Sequence, residues 1–452
     1  MTKIMGISEG SHDAAYAVIE HGNILSAHHA ERWTRKKNEK WLLPRFMPFG
    51  KNKRKKQLVG KVDIIIGHED KKRVNERRIK AGQKLLIENI PVNYYYNHYE
   101  THAWAGWATA PFDDCDILCV DAIGESESAA VFEVRNKVFT KTWEMEYPQS
   151  LGLIYSAVTH GLGYKPMEEE YIVMGLAAYG EPIIDFEYLM DENCHKGIKL
   201  PNNRPEDIAA SVQALYEKQL LILIDKYCKH DNLILMGGCA LNCVANSKIK
   251  GKNIWIMPNP GDAGSSLGAA ARHYGDKVKW EGPYLGKDIE RSINPYEVVR
   301  YLYKHGVCGV ANGRAEFGPR ALGNRSLIAD PRLDIKDTVN EIKRRQKFRP
   351  FAPAILEEYA NEYFEGPMNE YMQFVAKAKH DYKSVTHVDG TARVQVVKPN
   401  CKSIIRQILE EWYELTGCPM LLNTSLNIKG QPMVNSWQHA LEFENKYSVK
   451  VF

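Results

Sequence analysis

A short apolar strand, a polar turn and a second apolar strand open this chain, and the same pattern returns beyond residue 115. Residues 3–8 and 14–19 flank the polar turn 9–12, and a third strand starts at Ile24 after His21-Gly22-Asn23. In the second occurrence Asp116-Ile117-Leu118-Cys119-Val120-Asp121 ends on an acid close to Gly124, and 129–134 alternates as its partner. Apolar runs of this length, bounded by turn residues, predict strands. A sheet that starts at residue 3 with a polar first turn suits a fold that handles phosphate groups, and α/β sheets take their ligands at strand ends.

Further along, 62–67 reads as another strand, and 205–230 repeats apolar residues near i, i+3, i+4 and i+7, which predicts a long helix. Leu233-Ile234-Leu235-Met236 is a buried strand running into Gly237-Gly238. A strand over 254–257 leads into Pro258-Asn259-Pro260-Gly261-Asp262, and a small-residue helix follows over 265–273. Gly, Pro and charge mix over 277–295, which predicts a linker. A second mixed α/β unit starts at Pro295, with a helix over 296–305 and a strand over 307–311.

Composition closes off several classes. With 452 residues, 44% hydrophobic and 26% charged, the chain is long enough for two or three domains, each with its own core. No run of about 18 apolar residues offers a transmembrane helix, and Met1 to Glu9 turns polar too soon for a secretory signal. Nine cysteines without Cys-x-x-Cys spacing fit neither a zinc ribbon nor a disulfide scaffold, and a reducing cytoplasm is expected. The net charge of +4 hides an asymmetry: residues 32–80 hold 18 Lys and Arg against 5 acids, so the rest sums to −9. The run Lys51-Asn52-Lys53-Arg54-Lys55-Lys56 is either a solvated face or a contact for phosphates on nucleotides or nucleic acid.

Three groups of residues carry chemistry. His98 and His102 stand four apart, so on a helix both imidazoles leave one face, as metal ligands do. Asp121 and Asp262 each end an apolar strand near glycine, and a His2Asp2 set suits iron(II), manganese or zinc better than a soft-metal site. Gly237-Gly238-Cys239-Ala240-Leu241-Asn242 after a strand lets a nucleotide approach the backbone, or is a plain turn. In the second unit, Glu316 to Ser326 holds Arg320 and Arg325 on a Gly/Pro-rich turn. Lys347-Phe348-Arg349-Pro350, Asp389-Gly390-Thr391-Ala392-Arg393 and Asn423-Thr424-Ser425-Leu426-Asn427 add cations, amides and hydroxyls. Arginines clustered in turns form a phosphate cradle, or surface ion pairs.

These blocks resemble the nodulation-factor and antibiotic O-carbamoyltransferases, the family of the tobramycin and cephamycin enzymes. The likeness runs in order through Gly6-Ile7-Ser8 with His12-Asp13, Glu31-Arg32-Trp33-Thr34-Arg35-Lys36, His98 and His102-Ala103, and Val120-Asp121. It continues through Ser150-Leu151-Gly152-Leu153-Ile154-Tyr155, Met174-Gly175-Leu176-Ala177, the Gly237 and Gly261 blocks, and every arginine-bearing turn of the second unit. The resemblance implies a duplicated actin/hexokinase-like (ASKHA) carbamoyl-transfer domain over 1–285, related to the threonylcarbamoyl-transfer protein of tRNA modification. It implies a YrdC-like α/β domain over 295–452 that makes a carbamoyl-adenylate from carbamoyl phosphate and ATP.

By the same resemblance His98, His102, Asp121 and Asp262 hold a divalent metal, iron(II) first and manganese or zinc as alternatives, with magnesium accompanying ATP. Arg320, Arg325, Arg349, Arg393 and Ser425 fall where carbamoyl phosphate and ATP are activated, with Asn423 beside them and Gly237, Gly238 and Asn242 on the nucleotide. His12, steadied by Asp13, is the expected base for the acceptor hydroxyl. The acceptor is expected to be a hydroxymethylated pyrimidine such as 5-hydroxymethylcytosine in nucleic acid or nucleotide, a DNA-modification reading drawn from the basic stretch 32–80 and its interleaved Trp33, Trp41, Phe46 and Phe49. A sugar or antibiotic alcohol is the alternative, and homodimerisation is left open. Two other classes remain: a nucleotide- and metal-dependent nucleic-acid-binding module of tRNA-modification type, which leaves the arginine turns without a task, and a sugar kinase, which leaves 295–452 unexplained.

Overall fold

The computed structural model describes residues 2–10, 12–42, 61–80, 82–86 and 89–452, and the run 51–56 lies outside them. The chain divides into two compact units, residues 1–34 with 38–280 and residues 35–37 with 281–452.

The first unit is built twice on one plan. Its first sheet takes β1 (Lys3–Ser8), β2 (Ala15–Glu20), β3 (Asn23–His29), β4 (Ile64–Gly67) and β5 (Tyr94–Tyr95) in the order β3-β2-β1-β4-β5. β1 to β3 form an antiparallel meander, while β4 and β5 run parallel to β1. The second sheet takes β6 (Cys115–Val120), β7 (Glu127–Arg135), β8 (Val138–Glu146), β9 (Asn232–Met236) and β10 (Asn253–Ile256) in the order β10-β9-β6-β7-β8. Again the first three strands are an antiparallel meander and the last two run parallel to the first. This repetition is the duplicated actin/hexokinase-like plan. The outer hairpins even share a turn: His21 and Gly22 (φ 51° and 74°) and Asn136 and Lys137 (φ 50° and 64°) are two-residue loops of positive φ, which match the twist of the strands they join.

Helices His98–Thr109 and Asp262–Tyr274 cross closely. A Cβ on Gly268 would stand 1.8 Å from the Thr101 carbonyl oxygen, so only glycine admits this approach. The crossing matters because each helix begins with a candidate metal ligand, His98 and Asp262.

The segment 277–295, expected as a linker, contains β11 (Tyr284–Ile289), which pairs with β13 (Gly313–Glu316). Composition misled there because Leu285 and Ile289 are buried among polar neighbours. The second unit's main sheet takes β12 (Val307–Ala311), β14 (Arg325–Ala329), β15 (Ala352–Leu356), β19 (Gln395–Val397) and β20 (Met420–Ser425) in the order β12-β14-β20-β15-β19. The short strands β16 (Phe364–Glu365), β17 (Ala376–Ala378) and β18 (Thr391–Ala392) form a separate sheet. Trp412, Leu421, Ile355 and Val310 are completely buried in this unit's core.

Among the described residues no helix is long and apolar enough to cross a membrane. All nine cysteines are unpaired thiols.

Candidate active site

Strand direction assembles the first cluster. In the parallel strands β6 and β9, Asp121 follows the end of one and Gly237-Gly238 the end of the other. Asp262 follows β10, which is parallel to β9. In the first sheet, Glu9 follows β1 and His68-Glu69 follow β4, again at the carboxyl ends of parallel strands. Asn97 caps helix His98–Thr109 by accepting from the Tyr99 and Glu100 amides, which fixes where the helix and its histidines start.

His98 Nε2 lies 3.6 Å from Asp262 Oδ1, and His102 Nε2 lies 3.4 Å from both Asp262 Oδ1 and Asp121 Oδ2. The two Nε2 atoms are 3.2 Å apart. Donors about 2.1 Å from one ion at tetrahedral angles lie about 3.4 Å from one another, so these spacings fit a single small cation. The Gly238 amide donates to Asp121 Oδ2 (2.9 Å) and the Ala122 amide to Oδ1 (2.7 Å), which fixes the carboxylate. Gly237 adopts φ 87°, and a Cβ there would meet the Val120 carbonyl oxygen at 2.1 Å.

The electrostatics ask for positive charge. Burial pushes the Asp262 carboxyl up, but His98, His102, His12 and His68 outweigh it and hold it well below the usual range. Burial and Asp262 raise Asp121, and the two histidines again win, leaving it lowered. Burial alone would strip His98 of its proton, yet Asp262 and Glu69 push it up to about 9. Imidazoles that draw protons into a buried dicarboxylate pocket are where a divalent cation gains most. Nitrogen and carboxylate donors fit iron(II), manganese or zinc.

His12 stands at the edge of this cluster, with Nδ1 3.2 Å from Asp13 Oδ2 and Nε2 3.8 Å from Asp262 Oδ2. Burial opposes its charge, but Asp13 and Asp262 push it up to about 10. Asp13 holds φ 53°, a left-handed conformation that an aspartate adopts at a cost.

In the second unit, antiparallel pairing brings the arginine-bearing turns to one end of the sheet. Ser326, near the start of β14, pairs with Ser425 at the end of β20, and Asn423 pairs with Ala352 at the start of β15. Gln395, at the start of β19, pairs with Ala354. The turns around Arg320, Arg349 and Arg393 therefore all enter the sheet at the end where β20 leaves it.

Residues 299–452 match the family described as Carbamoyltransferase C-terminus, and residues 37–195 and 191–271 match Carbamoyltransferase N-terminus. The chain belongs to the carbamoyltransferase family. It is 31% identical to an uncharacterized protein of Synechocystis sp., over 96% of this chain and 92% of that one. It is 30% identical to nodulation protein NolNO of Sinorhizobium fredii, over 94% of this chain and 75% of that one. It is 32% identical to nodulation protein NolO of Bradyrhizobium diazoefficiens, over 76% of this chain and 75% of that one. As a family member the chain is a transferase.

Within this carbamoyltransferase the expected site residues divide into two kinds. Arg320 is half-buried on the outer part of its turn, whereas Arg325 is completely buried. The Arg325 guanidinium donates to the carbonyls of Asn312 (2.7 Å), Gly313 (3.0 Å), Asn324 (2.9 Å) and Lys287 (2.8 Å), which is a structural task. Asn423 donates to Gln395 Oε1 (2.7 Å) and the Ala321 carbonyl (3.2 Å), tying the Arg320 turn to the sheet. Asn242 exchanges two amide hydrogen bonds with Gln213 (3.1 and 2.9 Å) and caps helix Cys243–Asn246, so its side chain belongs to the fold. Arg393 keeps a buried Nε with no hydrogen-bond partner among the described residues, as a waiting anion contact would.

Two residues of the second unit have roles that the sequence does not show. Glu316 Oε1 accepts from the Leu322, Asn324 and Arg325 amides at 2.8, 2.9 and 3.2 Å, so a buried carboxylate shapes the turn that carries Arg320. Lys343 donates from Nζ to the Asn427 carbonyl (2.9 Å), Asn427 Oδ1 (3.2 Å) and Ser425 Oγ (3.3 Å), and also bonds the Ser425 carbonyl. The signal for Lys343 was its place six residues before Arg349, hidden in a charged helix end.

Proposed function

We propose that this chain activates carbamoyl phosphate with ATP as a carbamoyl-adenylate and transfers the carbamoyl group to an acceptor hydroxyl. The observation that carries the reading is the convergence of the Arg320, Arg349 and Arg393 turns with Lys343 and Ser425 at one sheet end. Two anionic phosphates must meet in the activation step, and several fixed cations on short turns offset their repulsion. There water cleaves the P–O bond of carbamoyl phosphate to give carbamate and inorganic phosphate, and a carbamate oxygen then bonds to the α-phosphorus of ATP while the bond to pyrophosphate breaks. Carbamate is a poor electrophile because its nitrogen donates into the carbonyl, and the adenylate supplies the leaving group it lacks.

In the transfer step the acceptor oxygen bonds to the carbamoyl carbon, AMP leaves, and the hydroxyl proton must go to a base. His98, His102, Asp121 and Asp262 would hold a divalent cation, which supplies a Lewis acid for the carbonyl or the adenylate phosphate. His12 is the base in this reading. Its proton is held largely by Asp13 and Asp262, so neutralising Asp262 frees the ring to accept the acceptor's proton.

For the acceptor we take a hydroxymethylated pyrimidine carried on a polyanion. Support comes from the charge of +13 over residues 32–80, part of which is helix Lys71–Lys80 with six cations against one acid. Incubating the chain with carbamoyl phosphate and ATP against hydroxymethylated DNA, its nucleotide, sugars and aminoglycosides tests this reading. The mass gain of one carbamoyl group on the nucleic acid is the expected result. Gain on a sugar or aminoglycoside alone moves the acceptor to the small alcohols.

A further inference from the structure

His98 faces a carboxylate from each of its ring nitrogens. Nε2 faces Asp262 Oδ1 and His102, while Nδ1 on the opposite edge faces Glu69 Oε2 at 3.7 Å. Glu69 follows β4, and its carboxylate is buried, with Oε2 also 3.9 Å from His68 Nε2 and Oε1 lacking a hydrogen-bond partner. Nδ1 of His98 and Nδ1 of His102 are both buried without a hydrogen bond among the described residues, and the 3.7 Å to Glu69 is an ion-pair distance. A carboxylate is costly to bury unless something nearby uses its charge.

We propose that Glu69 is the positioning carboxylate of His98, accepting the Nδ1 proton so that the ring presents Nε2 to a divalent cation. This rests on the reading of His98, His102, Asp121 and Asp262 as ligands. An imidazole that binds metal through one nitrogen while neutral must carry its proton on the other, and an acceptor there fixes the tautomer and raises the ring's basicity. Among the described residues Glu69 is the carboxylate on that edge. His68 packs against the His98 ring, with centroids 5.6 Å apart, and closes the far side of the same carboxylate.

His68, Glu69 and His98 also lie close enough to hold a cation of their own. That arrangement would need His98 to lose both ring protons and bridge two ions. A neutral His98 with Glu69 behind it needs neither, so one ion per chain is the expected stoichiometry.

Cobalt(II) alone is the probe, followed by its visible absorption and by calorimetry on the full chain. The wild type should bind one cobalt(II). Glu69→Gln should weaken binding about 10- to 100-fold while keeping the same absorption envelope and the metal-free Tm. Glu100→Gln, on the helix that carries His98, breaks the 2.6 Å pair with Arg272 of helix Asp262–Tyr274 and should bind as the wild type does. Should Glu69→Gln not fold, the zinc(II)-loaded wild type reads the tautomer directly by imidazole ¹⁵N NMR, with His98 protonated at Nδ1 expected. Unchanged affinity in Glu69→Gln, two ions per chain, an altered envelope, or His98 protonated at Nε2 would each overturn the inference. A wild type that binds no cobalt(II) overturns the metal reading itself and this inference with it.

Discussion

The ammonium of Lys343 stands 3.3 Å from the hydroxyl of Ser425 and 2.9 Å from the carbonyl of Asn427, at the sheet end where the arginine-bearing turns meet. Among the described residues no carboxylate pairs with it. Burial, then Arg345 and Arg349, hold it well below the ordinary lysine range. A cation buried beside two guanidinium groups costs stability until an anion arrives.

Lys343→Met should therefore abolish carbamoyl-phosphate-dependent pyrophosphate release. The pH dependence has a definite sign. A lysine with a depressed folded pKa binds fewer protons folded than unfolded, so stability rises with pH between the folded value and the unfolded value near 10.4. Denaturation from about pH 7 to about pH 10 should show wild-type stability gaining on Lys343→Met. A constant difference between the two would contradict the assignment.

Arg320 and Arg325 share one turn and should behave oppositely. Arg325→Ala leaves four carbonyls without their donor, so unfolding should lose about 3 kcal/mol or more. Arg320→Ala should keep the wild-type Tm and lose adenylate formation, each charge-assisted phosphate contact contributing about 1.5–3 kcal/mol. Urea unfolding beside pyrophosphate release separates the two; equal destabilisation would return Arg320 to the fold.

Much of the first unit was legible in the sequence because its signals are local. The strand at 3–8 falls where its apolar run places it, as does the second unit's at 307–311, and the four-residue spacing of His98 and His102 needs only a helix to become a pair. The Gly- and Pro-rich turn that Arg325 shares with Arg320 points it to phosphate, and sequence does not show the four carbonyls that surround it. Glu316, Glu69 and Lys343 were passed over for a related reason. Each is one charge among many in sequence; Glu316 is buried by the closing of its own turn, and Lys343 and Glu69 by long-range pairing, β14 with β20 and β1 with β4.

His102→Ala should remove stoichiometric cobalt(II) and abolish transfer to the acceptor. Carbamoyl-phosphate-dependent pyrophosphate release should continue, because the proposed activation step uses residues of the second unit. Metal content and pyrophosphate release, measured on one preparation, check both. Full metal content in the mutant would remove His102 from the ligand set.

Replacing Lys53, Arg54, Lys55 and Lys56 together by Gln tests the polyanionic acceptor. For nucleic acid, log affinity should fall with log salt by roughly one unit per phosphate engaged, and the mutant should lower that slope by up to about four. Acceptor KM at two salt concentrations reads this. Salt-insensitive KM values in both proteins would make the run a solvated face.

The purified chain, given ATP and carbamoyl phosphate without an acceptor, offers the most direct test of the account. Both co-substrates together should yield pyrophosphate from ATP, and omitting carbamoyl phosphate should abolish it. Release of ADP instead, or no pyrophosphate under any condition, would contradict a carbamoyl-adenylate route.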